Sequence, residues 1–426
     1  MTTDIAAAHR AVDAVWRIES ARIIAGLARL VRDVGLAEEL AQDALVAALE
    51  QWPAEGIPAK PGAWLMLTAR HRAIDRIRRE ERLADKLALL GRELAGEQGD
   101  NLAELEAVLD DGRIDDDLLR LMFISCHPVL PAEGRVALTL RLLGGLTTAE
   151  IARGLLAAEP TVAKRITRAK RTLAANQVPF EVPPAEDRPA RLASVLEVLY
   201  LIFNEGYSAM AGDDWMRPAL CAEALRLGRV LAGLMPDEPE VHGLVALMEI
   251  QASRMPARLG PDGLPVPLPG QDRGRWDHLL IRRGFTALLR AQRLRRPPGA
   301  YVLQAAIAAC HARARTGDET DWRQIAMLYE ALATLTPSPV VELNRAVAVA
   351  MAGDVDEGLR IVDGLAAAPA LAGYHHLPSI RGDLLARLGR HGEAAGEFRR
   401  AAALTRNGPE RTMLLRRADD SGAQPG

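Results

Sequence analysis

Thr161, Lys164, Arg168 and Arg171 recur three and four residues apart along one short stretch. On a helix that spacing gathers them on one face. A hydroxyl and three cations in a row suit phosphate oxygens and base edges. From Thr161 to Ala175 there is no acidic residue to neutralise them, and Arg165 and Lys170 lie on the flanks. The opposite face carries Val162, Ile166, Ala169 and Leu173, which form one stripe fit for burial. A helix that buries one stripe and shows cations on the other is shaped to enter a DNA major groove. The plainer alternative is a solvated basic face on an ordinary helix pair.

A second concentration of cations lies upstream, in WLMLTARHRAIDRIRREERL. Arg70, His71, Arg72, Arg76, Arg78, Arg79 and Arg82 crowd one length of helix, while Trp64, Leu67, Ile74 and Ile77 can pack inward. Alone, such a helix could simply snorkel its arginines into water. Ahead of a DNA-reading helix it reads as a second nucleic-acid surface. A third set is polar and lies past residue 190: Asn204, Glu205, Tyr207, Arg254, Asp272, Arg273, Trp276 and Asn344, in or beside apolar helices. It reads either as a ligand site or as a buried hydrogen-bond network, and the network is favoured because buried polar groups normally satisfy one another. No nucleophile–base pair, phosphate-binding glycine loop or metal cluster is present, so neither an enzyme nor a cofactor is expected. Cys126-His127 and Cys310-His311 lack the partners of a metal site and read as buried thiols.

These residues need helices to hold them. Thr147 and Glu150 form a capping box that starts one helix, and Pro160 suits the first turn of the next. Leu156 stands where such a turn commonly has glycine, and Ala158 is a weak cap. Helices with Leu119, Met122, Phe123, Leu138, Leu140 and Leu142 would pack on the stripe. Near the N-terminus a helix from about Ala6 to Arg32 ends at Gly35. A second follows, with Leu36, Leu40, Ala44, Leu45 and Leu49 inward and Glu38, Glu39, Gln42 and Asp43 outward, closed by Trp52-Pro53. Residues 91–117 are strongly acidic and read as a linker. Past residue 190, AVAVAMAGDVDEGLRIV and GDLLARLGRHGEAAGEF superpose with Gly353 on Gly389, an offset of 389 − 353 = 36 residues, near the tetratricopeptide (TPR) period.

The whole chain of 426 residues is rich in Ala, Leu and Arg, nearly devoid of strand-like alternation, and reads as all-α. Its net charge of −3 excludes a uniformly basic protein, so the nucleic-acid argument rests on local clusters. Three cysteines, odd in number and far apart, suit a reducing compartment. MTTDIAAAHR is no signal peptide and no apolar run reaches membrane-spanning length, so a cytoplasmic protein that uses no membrane is expected.

An acidic-tipped helix, then WLMLTARHRAIDRIRR, then a spacer, then a helix-turn-helix ending in TVAKRITRAKRTL resembles an extracytoplasmic-function (ECF) RNA polymerase sigma factor. YLIFNEGYSA, QASRMPAR, QDRGRW, QAAIAACHA and PSPVVELNRAVAVAMAGD resemble the ECF group with a C-terminal TPR-like extension. The resemblance implies sigma region 2 over 1–90, an acidic linker over 91–117, sigma region 4 over 118–178 and the extension over 190–420. It implies two partners, promoter DNA and the β and β′ subunits of core RNA polymerase. Glu38, Glu39, Gln42 and Asp43 would meet polymerase; Trp64, Arg70, Arg72, Asp75, Arg76, Arg78 and Arg79 would face the −10 element. Thr161, Lys164, Arg165, Arg168 and Arg171 would face the −35 element. The extension would regulate in cis and could take a peptide, protein or small ligand. The competing reading is a helix-turn-helix regulator with a TPR-like sensor, which would bind duplex DNA without polymerase.

Overall fold

A computed structural model describes residues 2–89, 111–155, 157–207, 211–212 and 216–423. The chain divides into two compact units, Met1–Leu199 and Tyr200–Gly426. As the composition predicts, the described residues are overwhelmingly helical, and strand is confined to a two-residue parallel pair, 211–212 with 406–407.

In the first unit, α1 (Thr2–Val31) and α2 (Val34–Glu55) meet at a turn formed by Arg32, whose φ is +53°, and Asp33. Asp33 caps α2 by accepting from the Leu36 N–H at 2.9 Å. Gly35 therefore lies inside α2 and does not end α1, because the N-cap aspartate sets the boundary. The buried stripe of α2 is Ala37, Leu40, Ala41, Ala44, Ala47 and Ala48. Leu36, Leu45 and Leu49 are only half-buried, because small alanines let α1 and α3 come close. Pro53 falls inside α2, and Gly56, at φ +91°, stops it. α3 (Pro61–Leu89) buries Leu65, Ala69 and Ala73.

Next come α4 (Asp111–Ser125), α5 (Ala132–Leu142), α6 (Thr148–Gly154) and α7 (Glu159–Ala175). α4 begins within the stretch read as linker. Asp117 belongs to it, buried and paired with Arg29 at 3.3 Å and Arg120 at 2.7 Å. Most of the acidic stretch, residues 90–110, lies outside the described residues. α8 (Arg188–Tyr207) contributes residues 188–199 to this unit. There Arg191 donates to the Phe123 carbonyl at 3.0 Å and Ser194 to the Cys126 carbonyl at 2.6 Å.

The second unit is built from helical hairpins: α9 (Pro218–Leu234), α10 (Pro239–Ser253), α11 (His278–Arg293), α12 (Ala300–Arg313), α13 (Trp322–Leu335), α14 (Pro339–Met351), α15 (Val355–Leu365), α16 (His376–Arg387), α17 (His391–Leu404) and α18 (Gly408–Gly422). α10 is mostly apolar and buried almost throughout, the mark of a central helix. The sequence offset of 36 corresponds to two hairpins, α14–α15 and α16–α17. Gly353 and Gly389 occupy their turns at φ +118° and +74°, where a side chain would be strained. Close helix approach falls instead to Gly358, where a Cβ would lie 2.7 Å from that of Ala350. No described helix is long and apolar enough to cross a membrane.

Candidate nucleic-acid interface

The Thr147 hydroxyl accepts from the Glu150 N–H at 3.1 Å, and Glu150 accepts from the Thr147 N–H at 2.9 Å, so the predicted capping box is complete. Burial first opposes ionisation of Glu150, but the bonds from Thr147 and the charge of Arg17 outweigh it and hold the carboxyl below its usual range. α7 starts with Pro160 in its first turn and no side-chain cap from Ala158, as the sequence predicts. Leu156 lies outside the described residues. Val162, Ile166, Ala169 and Leu173 are the buried residues of α7. Each large one contributes about 1.5–3 kcal/mol of burial.

That seal fixes the opposite face. Thr161, Lys164, Arg168 and Arg171 are exposed. Among the described residues no carboxylate pairs with Lys164, Arg168 or Arg171, so this row of cations is free for an external anion. The flanking cations are engaged: Arg165 pairs with Glu133 at 2.6 Å, and Lys170 with Glu38.

On α3, Asp75, Arg76, Arg78 and Arg79 are exposed, and Arg70 and Arg72 are half-buried. Arg72 lies 3.8 Å from Asp43 of α2. Trp64 is half-buried. Its ring meets Trp52 edge-on at 5.6 Å, because the apolar end of α3 closes on α2 there. Leu67, expected inward, is 51% exposed, since the inward row is Leu65, Ala69 and Ala73.

The α2 residues separate. Glu39 and Asp43 are exposed, but Glu38 is only 3% exposed. Its carboxylate takes Arg141 Nε at 2.5 Å, Lys170 Nζ, and Gln42 Nε2 at 2.5 Å. Arg141 belongs to α5 and Lys170 to α7, so the two halves of this unit close over the α2 face. Arg17 and Glu150 pair at 2.7 Å across the same junction. Gly145 abuts Ser20 so closely that a Cβ would stand 2.6 Å from its hydroxyl. Sequence reasoning missed this junction, because its partners are far apart along the chain.

The polar C-terminal set also divides. Glu205 pairs with Arg217, and Asp272 accepts from the Gly274 N–H to cap a short 3₁₀ turn. Asn344 is exposed on α14 and joins no buried network. Tyr207 stacks on Phe203 at 5.6 Å and lies 3.6 Å beneath the Arg258 guanidinium. Arg254, Arg273 and Trp276 do come together, with Arg258 and His311 beside them, two residues that the sequence did not group with this set.

Residues 18–83 match the Sigma-70 region 2 family and residues 120–173 the family described as Sigma-70, region 4. Residues 191–292 match a Family of unknown function (DUF6596). The chain is similar to an uncharacterized protein R00370 of Rhizobium meliloti (strain 1021), at 45% identity over 399 residues, 94% of this chain and 93% of that protein. It is similar to the ECF RNA polymerase sigma factor SigK of Mycobacterium ulcerans (strain Agy99), at 30% identity over 156 residues, 36% of this chain and 78% of that protein. A probable ECF RNA polymerase sigma factor SigI of Mycobacterium tuberculosis (strain ATCC 25618 / H37Rv) is 28% identical over 184 residues, 42% of this chain and 60% of that protein. With a sealed helix-turn-helix behind an arginine-rich helix, and both sigma regions matched, the chain belongs to the ECF RNA polymerase sigma factors.

Proposed function

We propose that α7 reads the −35 element, that the arginine-rich face of α3 holds the −10 element and its opened strand, and that α2 docks on the clamp of core RNA polymerase. The chain carries polymerase to promoters as a binding factor in the cytoplasm and catalyses nothing itself. The observation that carries the reading is the α7 face. Lys164, Arg168 and Arg171 stand exposed and unpaired on a helix whose other side is locked in a core. Strand opening needs cations to hold displaced phosphates, which α3 supplies.

The buried Glu38 adds a condition. Glu39 and Asp43 stand open to polymerase, but Glu38 is covered by α5 and α7, so docking that engages Glu38 requires the two halves of the first unit to separate. The C-terminal unit then regulates this step in cis.

Binding to duplexes selected from a random pool tests the α7 assignment. Arg168→Ala is expected to cost about 1–3 kcal/mol and relax preference at one position if Arg168 reads a base. A phosphate contact would weaken all duplexes alike and lower the salt slope by about 1. Unchanged affinity and unchanged preference would remove Arg168 from the interface.

A further inference from the structure

Arg254 caps the C-terminal end of α10 and is only 8% exposed. Its Nε has no hydrogen-bond partner, and among the described residues it has no ion pair. Its charge is not alone. Arg254 and Arg273 lie 5.8 Å and 5.1 Å from the same Trp276 ring, and burial followed by Arg254 pushes Arg273 below the usual guanidinium range. His311 is driven down to about 3 by burial, then by Arg254 and Arg273.

Among the described residues, no carboxylate forms an ion pair with Arg254 or Arg273, and the nearby ones are engaged elsewhere. Glu205 serves Arg217, Glu249 serves Arg229 at 2.8 Å, and Glu319, which acts on Arg273, accepts from the Arg315 N–H at 3.0 Å. The end of α10 offsets about half a charge through its dipole. A buried guanidinium with no carboxylate is otherwise costly, and unlike a lysine it keeps its charge when buried.

The terminal nitrogens of Arg273 are already spent, on the His311 and Ala314 carbonyls and the Thr320 hydroxyl. Among the described residues, no hydrogen bond or ion pair engages the terminal nitrogens of Arg254. Tyr200 and Tyr329 lie within reach of its charge, Asn204 and Gln251 adjoin the Tyr200 hydroxyl, and all four are half-buried.

We propose that Arg254 anchors a binding site for a small organic carboxylate, held bidentately by its guanidinium and bordered by Tyr200, Asn204, Gln251 and Tyr329. One open fork matches one carboxylate, in geometry and in charge. The aromatic border suits an apolar body. The site lies in the extension and stands whether or not the sigma assignments of α3 and α7 hold.

Thermal unfolding of the full chain tests it, with sodium benzoate and sodium acetate as probes and sodium chloride at equal ionic strength as control. The melting temperature of the C-terminal unit is expected to climb with the logarithm of benzoate concentration. Arg254→Met is expected to abolish that climb and, without carboxylate, to melt no lower than the native chain, because it removes an unpaired buried charge. A native chain indifferent to both probes at tens of millimolar would overturn the proposal. So would Arg254→Met melting well below the native chain in chloride, the mark of a purely structural arginine. An Arg254-dependent response to inorganic phosphate alone would overturn the carboxylate class. Should Arg254→Met fail to fold, Tyr200→Phe carries the test: the benzoate midpoint rises severalfold, and an unchanged midpoint overturns the assignment.

Discussion

Glu38 and Arg254 mark two outcomes for a charge taken out of water. Glu38 is compensated within its unit by Arg141 and Lys170. Arg254 has no ion pair among the described residues. Neither outcome was legible in the sequence. Glu38 follows a helical register that reads as outward, and its burial depends on cations more than a hundred residues away. The α7 face was legible because its stripe and its cations alternate with a local period. His311 gives a residue-scale prediction. Its folded value of about 3 lies below its ordinary 6.5, so the stabilisation from keeping it neutral is complete above 6.5 and is lost as pH falls toward 3. The C-terminal unit should therefore melt at progressively lower temperature between about pH 6.5 and 4, and His311→Gln should flatten that slope. Equal slopes by circular dichroism would exclude His311 as a source of acid sensitivity.

At the scale of elements, the helix-turn-helix was legible because a capping box, a first-turn proline and an amphipathic stripe each act within a few residues. The α1–α2 turn was misread. Glycine commonly ends helices, yet here Asp33 starts one and Gly35 rides inside it, against the Lys170 side chain. The Gly353 and Gly389 repeat was legible as a period, while the left-handed turns needed the structure. Gly353 has open space around it, so Gly353→Ala should cost about 1 kcal/mol through backbone strain alone. At Gly389, whose φ of +74° lies near the αL well and whose surroundings are also open, Gly389→Asn should cost less than Gly389→Ala, and equal losses in denaturant titration would count against strain. Arg141 belongs to neither the α2 face nor the α7 face; it holds Glu38 at 2.5 Å and the Leu146 carbonyl at 3.1 Å, so it probes closure from α5. Arg141→Gln should speed association with core polymerase by about tenfold, equivalent to about 1.4 kcal/mol removed from the closed form. Unchanged association kinetics would mean that separation of the halves does not limit docking.

At the scale of the molecule, the all-α class followed from composition, and the two sigma regions from motifs whose chemistry is local. The closed arrangement of the first unit did not follow, because side-chain contacts between distant segments leave no periodic trace. The formal charge of −3 hid a basic reading surface and an acidic stretch in one sum. The most direct test of the central claim is transcription by purified core RNA polymerase on fragmented genomic DNA, with start sites mapped by sequencing. The full chain and a chain ending at residue 199, the close of the first compact unit, would be run side by side. A sigma factor yields a discrete set of start sites that depend on the added protein, with the shared upstream sequence altered by Arg168→Ala. Silence from both chains, alongside specific duplex binding without polymerase, would contradict that role and identify a regulator that acts on DNA alone.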